Sequence, residues 1–228
     1  MTATSITLFG HWICPFSVRV EFALAQRGID YTMVEVPPRA VRPKGFVVPE
    51  EFIAHSPKLE VPMVKHNDEY LADSIPILEQ LEEWFISNSL LPTDGAARSL
   101  VLARVQWLDK HLYRPMIGVY YGTDPDKIAA ASDEFNQALN TVAGWLRETT
   151  WLVGDEPTIV EAIMVGMYTR LDGLYRLGLT AQIPIEVFRH REQCESLVGW
   201  QRVSWSSEQT DEFVSRFTKY REIQNSRH

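Results

Sequence analysis

The chain has 228 residues, of which 45% are hydrophobic and 23% are charged, so it can bury a core and is not disordered. Its formal net charge of −8 argues against a general nucleic-acid-binding protein, which usually presents a basic face. No apolar run approaches the ~18 residues of a membrane span, and no secretory signal, metal-ligand spacing or phosphate-binding glycine loop is present. The two cysteines lie far apart in the sequence, which argues against a disulfide scaffold and fits a reducing cytoplasm.

The first part of the chain alternates between strand and helix patterns in the order β-α-β-α-β-β-α. We expect strands at residues 5–11, 30–36, 61–66 and 69–71, and helices at residues 15–27, 49–55 and 73–86. Asp73 is placed to cap the third helix, and a proline-rich basic loop fills residues 37–48.

The second part is helical almost throughout after a break at residues 92–96. We expect helices at residues 97–121, 126–149, 158–177, 185–190, 194–203 and 207–220. Thr158 and Glu161 form a capping box that opens an apolar run, which we expect to be the buried central helix. Pro115 is expected to kink the long first helix of this half.

Cys14 carries the clearest chemical signal, because it lies where the first strand passes into the first helix. Pro15 suits the first turn of a helix, which puts the Cys14 sulfur close to exposed backbone amides. Those amides and the helix dipole favour a thiolate, the nucleophilic form. The alternative is a buried structural cysteine. Cys194 has no such setting, and we expect it to serve packing or to lie on the surface.

Ser17 occupies the position that would complete a C-x-x-C pair. Cys14 therefore has no resolving partner nearby, and its chemistry must pass through a mixed disulfide with an external thiol, for which glutathione is the obvious candidate. Ser17 is a candidate catalytic residue; the alternative is an ordinary small polar residue in the first helical turn.

Two further features follow along the chain. Val61-Pro62 opens a hairpin strand. The peptide bond between them could be cis, which would expose the Val61 backbone to an extended peptide, and the alternative is a plain trans proline. Asp73 and Ser74 open the third helix, where free N–H groups and a hydroxyl can hold a carboxylate while Asp73 pairs with an ammonium; simple capping is the alternative.

These three motifs in this order resemble the glutathione transferase superfamily over nearly the whole chain. Cys14-Pro15-Phe16-Ser17 looks like the Cys-type branch, which includes the omega class and the plant dehydroascorbate reductases. The resemblance implies a thioredoxin-like α/β domain at residues 1–86, a linker at 87–96 and an all-α domain at 97–228. It also implies a homodimer that uses glutathione as co-substrate and no metal.

The resemblance further implies which residues hold the ligands. The glutathione-binding candidates are Cys14, Phe16, Lys44, Glu60, Val61, Pro62, Asp73 and Ser74. A hydrophobic second substrate would lie against the long helix 97–121, and its candidate contacts are Trp12, Trp107, Tyr113, Met116, Tyr120 and Tyr121.

The chain departs from the family pattern before the cis-proline position. Leu59 replaces the usual glycine, and Glu60 stands where a basic residue is often found. Lys44, Arg42 and Arg39 are candidates for the cation that holds the glycine end of glutathione.

Three functions fit this sequence. The first is a glutathione-dependent thiol transferase or reductase acting through Cys14, and the second is conjugation of glutathione to an electrophile. The third is a non-catalytic interaction or regulatory protein on the same fold.

Overall fold

The computed structural model describes residues 6–226, so the expected first residue of the first strand, Ser5, lies outside the described residues. Two compact units are present. The first comprises residues 6–90 together with Leu197–Val203, and the second comprises Leu91–Ser196 together with residues 204–226. No helix within residues 6–226 is both long enough and apolar enough to cross a membrane.

The first unit is built on a four-stranded mixed sheet. Its elements are β1 (Ile6–Gly10), α1 (Pro15–Gln26), β2 (Tyr31–Glu35), a 3₁₀ turn (Arg39–Val41), α2 (Glu50–His55), β3 (Met63–His66), β4 (Glu69–Ala72) and α3 (Ser74–Trp84). The strand order is β2-β1-β3-β4; β1 and β2 are parallel, and the other two neighbouring pairs are antiparallel. This is a thioredoxin-like arrangement, as the sequence predicted.

The second unit is helical in every element described. Its helices are α4 (Gly95–Leu108), a π-helical segment (Asp109–Tyr113), α5 (Arg114–Tyr121), α6 (Pro125–Leu146), α7 (Ile159–Tyr168), α8 (Leu171–Arg176), α9 (Ile185–Glu195) and α11 (Ser207–Asn225). The helix α10 (Val198–Val203) lies between α9 and α11 in the chain and belongs to the first unit.

The expected capping box at the start of α7 is present. Thr158 Oγ1 accepts a hydrogen bond from the Val160 N–H, and Glu161 Oε2 accepts one from the Thr158 N–H at 2.6 Å. Every residue of α7 is buried, which confirms the expectation of a central buried helix.

Two expected helices are interrupted in the structure. The helix expected at residues 97–121 passes through five π-helical residues just before Pro115, which has no N–H to continue the α-helical ladder. The helix expected at residues 158–177 is divided at Arg170 into α7 and α8, and no proline or glycine marks that division in the sequence.

The short helix α10 is held on α1 by close packing. A Cβ added to Gly199 would lie 2.7 Å from Cδ2 of Phe22, so only glycine fits there. Gln26 accepts a hydrogen bond from the Gly199 N–H at 3.0 Å, and Arg202 donates to both Glu21 and the Tyr31 hydroxyl. Burial raises the pKa of Glu21, and its hydrogen bond with Tyr31 opposes that shift. The first unit is therefore completed by a segment that comes late in the chain.

Candidate functional site

Cys14 is the N-cap residue of α1, at the point where β1 ends and the helix begins. Its backbone is extended, with φ −85° and ψ 117°, and Pro15 opens the helix. The Sγ atom lies 3.6 Å from the Val61 carbonyl oxygen and the residue is 5% exposed. Because only an S–H group can donate to a carbonyl, this geometry describes a thiol held by Val61 rather than a sulfur capping the helix.

His11 fixes the turn that leads to Cys14. Its carbonyl oxygen accepts the Cys14 N–H at 3.0 Å, and its Nδ1 accepts the Ile13 N–H at 3.2 Å. Two backbone donors beside the helix start are thereby satisfied within the turn, which leaves the position of the sulfur well defined.

The peptide bond between Val61 and Pro62 is cis, one of the two alternatives left open by the sequence. Val61 and Cys14 belong to one buried apolar cluster with Phe9, Phe52 and Met63. The site therefore joins the start of α1 to the residue just before β3.

Asp73 and Ser74 begin α3, and Asp73 has an unusual backbone. Its φ of +70° and ψ of 130° lie in a region that L-residues rarely adopt, and strain of this kind gathers at functional sites. Its side chain makes no capping hydrogen bond, contrary to the capping role expected from the sequence. Its carboxylate instead accepts from Lys58 Nζ at 3.2 Å.

Ser74 is buried, and its hydroxyl is held by α1. Arg19, which is fully buried, donates from Nη1 to Ser74 Oγ at 3.2 Å, and its guanidinium lies 4.7 Å from the centre of the Phe16 ring. Phe16 thus supports the arginine that orients Ser74. This link was not inferred from the sequence, although Arg19 follows the Cys14 motif by only a few residues.

The remaining glutathione candidates are more scattered. Lys44 is exposed in the loop before α2, and Glu60 is exposed with its carbonyl accepting from Ser56 Oγ at 3.2 Å. Leu59 has a φ of +54°, which explains why glycine is the usual residue at this position. Lys58, which was not among the sequence candidates, is the cation that the structure places at Asp73.

Ser17, the second candidate catalytic residue, lies inside the first unit. It is fully buried, and its Oγ lies against Gly10, where an added Cβ would be 3.1 Å away. Within residues 6–226 this hydroxyl has no hydrogen-bond partner. This burial favours the alternative, an ordinary small polar residue in the first helical turn, and the catalytic role of Ser17 stays a prediction.

The candidates for the second-substrate site differ in how far they are buried. Tyr113, Met116 and Tyr120 are core residues, and the Tyr113 hydroxyl donates to the Ile163 carbonyl at 2.6 Å. Tyr121 packs against Phe217 of α11 with ring centres 4.9 Å apart.

The other two aromatic candidates are partly exposed. Trp107 is half-buried and stacks on His111 with ring centres 4.8 Å apart. Trp12, in the first unit, is half-buried beside His11, with a ring separation of 5.4 Å. The second-substrate role of these aromatic side chains stays a prediction.

No group of three or more histidine, cysteine, aspartate or glutamate side chains in the described part of the chain could hold a metal ion.

Comparison with known proteins shows what this chain is similar to. Residues 13–84, the stretch from beside Cys14 to the end of α3, match the model of the glutathione S-transferase N-terminal domain. The probable glutathione S-transferase parA of Nicotiana tabacum is 28% identical over 209 residues, covering 91% of this chain and 88% of the relative. The chain is thus similar to members of the glutathione transferase superfamily, with their N-terminal domain matched at residues 13–84.

Solved structures of this superfamily confirm the fold over almost the whole chain. The omega 3C transferase of Trametes versicolor superposes with a TM-score of 0.80 at 20% identity, covering 96% of this chain and 92% of that one. A rice glutathione transferase solved in complex with glutathione superposes with a TM-score of 0.82 at 16% identity, covering 98% and 99%. At these identities the likeness establishes the glutathione transferase fold and does not distinguish the classes within it.

Proposed function

We propose that this protein is a glutathione-dependent thiol transferase of the Cys-type branch, with Cys14 as its nucleophile. The observation that carries the proposal is the sulfur of Cys14 at the start of α1, 3.6 Å from the Val61 carbonyl oxygen. Cys194 is fully buried in the second unit, and both cysteines are unbridged, so Cys14 works without a resolving cysteine. Relatives named glutathione S-transferases, and a rice structure of this fold with bound glutathione, support glutathione as the co-substrate.

The backbone of Val61 is the proposed anchor for the cysteinyl residue of glutathione. An extended peptide pairs with a strand edge through its own N–H and C=O groups, and Val61 lies just before β3. A ligand N–H that bonds to the Val61 carbonyl oxygen would share that acceptor with the Cys14 thiol and weaken the long bond that the thiol makes to it. Binding of the tripeptide would therefore loosen the sulfur of Cys14 as it brings the second sulfur close.

The γ-glutamyl end of glutathione fits the start of α3. The Asp73 carboxylate pairs with the α-ammonium, and the Ser74 hydroxyl and the helix N-terminus receive the α-carboxylate. Arg19 contributes by fixing the Ser74 hydroxyl. For the glycine carboxylate, Lys44 is the better of the loop candidates, since it is exposed whereas Arg42 Nε donates to the Pro37 carbonyl at 3.1 Å.

In the net reaction, one glutathionylated substrate and one glutathione give the free substrate thiol and oxidised glutathione. The Cys14 thiolate attacks the glutathione sulfur of a glutathionylated substrate, which breaks the S–S bond and releases the substrate thiolate to take up a proton. The thiolate of a second glutathione then attacks the glutathione sulfur on Cys14. Oxidised glutathione leaves, and Cys14 returns to its thiolate.

Conjugation is a second candidate, favoured by the thiol geometry itself. A Cys14 S–H group that donates to a carbonyl can also donate to a glutathione thiolate and stabilise it for attack on an electrophile. In that case Cys14 is a hydrogen-bond donor and forms no covalent bond.

Two variants separate these functions. Cys14→Ser keeps a donor but no nucleophile, and Cys14→Ala keeps neither. We expect both variants to lose reduction of a glutathionylated thiol, with wild-type protein showing a glutathione adduct on Cys14 by mass spectrometry. If Cys14→Ser retains transfer of glutathione to an aryl halide while Cys14→Ala loses it, conjugation is the function. Cys194→Ser serves as the control, since Cys194 lies outside the proposed site.

Three further expectations belong to this proposal. We propose that the thioredoxin-like and helical parts divide near residues 86 and 97, that the protein is a homodimer, and that it works in the reducing cytoplasm. The two unbridged cysteines support a reducing compartment. Light scattering on the purified full chain tests the dimer directly.

A further inference from the structure

The helix α2 is too short to hold itself in place. It has six residues, whereas isolated helices shorter than ~12–15 residues are marginal in water. Its N-cap residue, Pro49, makes no side-chain capping hydrogen bond. Even so, α2 is part of the candidate site, because Phe52 is fully buried in the cluster that contains Cys14 and Val61. The contacts that fix α2 therefore also shape this side of the site.

One face of the β3–β4 hairpin receives α2. Met63 and Lys65 lie two residues apart on β3 and so point to the same face, and Tyr70 is directly opposite Lys65 on β4. The inner part of this face is apolar, where Met63 joins Phe52 in the buried cluster. The outer part is polar, where Lys65 and Tyr70 bond to a side chain of α2.

Four side chains join α2 to the polar part of the hairpin. The Glu51 carboxylate accepts hydrogen bonds at Oε1 from Lys65 Nζ and from the Tyr70 hydroxyl, both at 2.6 Å. One turn further along α2, the His55 ring stacks on the Tyr70 ring, with centres 3.6 Å apart and an angle of 2° between the planes. We call Glu51, His55, Lys65 and Tyr70 the α2 clamp.

The clamp acts on one segment and adds little to the stability of the whole protein. The side chains of Glu51 and Lys65 are 42% and 33% exposed, and exposed ion pairs are weak because water screens them. The hydrogen bonds from Lys65 and Tyr70 lower the pKa of the Glu51 carboxyl, so Glu51 is ionised at neutral pH. A weak contact can still decide the position of a six-residue helix that has few other attachments.

We propose that the four residues of the α2 clamp are positioning residues that set the affinity for glutathione without touching it. The clamp ties α2 to the hairpin whose first strand follows Val61, the proposed anchor of the cysteinyl residue. Lys44, the proposed contact of the glycine carboxylate, lies on the loop that leads into α2. A closed clamp keeps these two contacts in place before the ligand arrives, so binding pays less for ordering the protein. This inference rests on the glutathione contacts proposed above and adds residues that they do not include.

Two neighbouring acidic residues of α2 provide a matched test. Glu51→Gln removes the charge at the centre of the clamp, and Glu50→Gln removes the same charge from an exposed residue outside it. We expect Glu51→Gln to raise the dissociation constant of glutathione about fivefold in isothermal titration calorimetry on the full chain. Glu50→Gln should change it by less than about twofold.

Steady-state kinetics separate positioning from loss of folded protein. Positioning predicts that Glu51→Gln raises the KM for glutathione and keeps kcat. Partial unfolding would instead lower kcat in proportion to the folded fraction and leave KM unchanged. Conservative replacement gives a further check: Lys65→Arg should keep the affinity for glutathione, and Lys65→Met should weaken it as Glu51→Gln does.

The outcomes distinguish the clamp from the reaction. Equal affinity of Glu51→Gln and Glu50→Gln, unchanged affinity of Lys65→Met, or a fall in kcat with KM unchanged would each overturn the clamp. If wild-type protein binds glutathione and Glu51→Gln weakens that binding, but no thiol transfer occurs, the clamp stands and the proposed reaction fails. If wild-type protein does not bind glutathione, both proposals fail.

Discussion

Lys58 and Asp73 form an ion pair, with Nζ and Oδ2 3.2 Å apart, at the position proposed for the α-ammonium of glutathione. Both side chains are largely exposed, at 66% and 57%. Lys58 thus occupies, within the chain, the place that a ligand cation would take. Without a ligand, the Asp73 carboxylate is paired with Lys58, and a ligand ammonium that binds this carboxylate would have to displace the lysine.

Lys58→Gln should therefore strengthen glutathione binding. The gain should be modest, at most about fivefold in the dissociation constant, because exposed ion pairs are weak and screened by solvent. Equilibrium titration of glutathione measures it; Lys44→Gln, which loses the same charge at the proposed glycine end of the site, should instead weaken binding. Weaker binding by Lys58→Gln would show instead that this lysine contacts the ligand.

Leu59→Gly should stabilise the protein by about 0.5–1 kcal/mol. Leu59 holds a φ of +54°, which strains an L-residue, and its side chain is 40% exposed, so little buried area is lost. Urea denaturation followed by circular dichroism measures the change. Leu59→Ala keeps the Cβ and the strain and should give no gain; an equal gain from both variants would refute the explanation.

Gly199→Ala should destabilise the first unit by about 1–3 kcal/mol, the usual cost of overpacking. The added Cβ would lie 2.7 Å from Phe22 Cδ2 and 2.8 Å from the Phe22 carbonyl oxygen, which cannot move without shifting α1. Gly144→Ala is the matched control in α6, where an added Cβ meets nothing within 4 Å. That control should gain about 0.5–1 kcal/mol from helix propensity.

Protonation of His66 should lower the free energy of unfolding as the pH falls below about 6.5. The residue is 6% exposed between Trp84 and Phe85, and burial lowers its pKa from 6.5, with Glu69 opposing the shift. Because the folded pKa is depressed, the unfolded chain takes up the proton first as pH falls. This contribution to stability is complete above pH 6.5 and is lost progressively below it.

Replacing the imidazole isolates that effect. Urea denaturation across pH 5–8 gives the unfolding free energies of wild type and His66→Leu. Relative to the variant, the unfolding free energy of wild type should increase as pH rises towards 6.5 and should then level off. A single group limits the slope to about 1.4 kcal/mol per pH unit. A difference that does not change with pH would exclude His66 as the source.

Glu161→Ala should cost more than about 2 kcal/mol, since two buried N–H groups lose their acceptor. Glu161 is fully buried and accepts from the Leu152 N–H at 2.9 Å and the Thr158 N–H at 2.6 Å. Thermal or urea denaturation gives the loss. Glu156→Ala, an exposed residue in the preceding loop, should change stability by less than about 0.5 kcal/mol.

Much of this fold was predictable because local rules and tertiary structure agree. The Thr158 and Glu161 capping box is a local pattern, and it forms as expected. Cys14 and Val61 could be related through the family resemblance, and the structure places them 3.6 Å apart. These features depend on residues close in sequence or on a motif order that the sequence displays.

The features that were missed depend on distant contacts. Ser17 looks like a polar first-turn residue, and only the packing of α1 on β1 shows that it is sealed against Gly10. The Lys58 partnership requires the β3–β4 hairpin to return the chain to Asp73. Pro115 signalled an irregular helix, but the π-helical turn before it has no sequence pattern of its own.

The placement of α10 bears on how this protein is made. Phe22 is covered by Gly199, a residue that leaves the ribosome long after α1 has been synthesised. Chains grow at roughly 5–20 residues per second, so the nascent α1 spends many seconds without its cover. A fragment that ends at residue 90 would keep the same surface exposed permanently. Such N-terminal fragments should aggregate unless α10 is added as a peptide or fused to them.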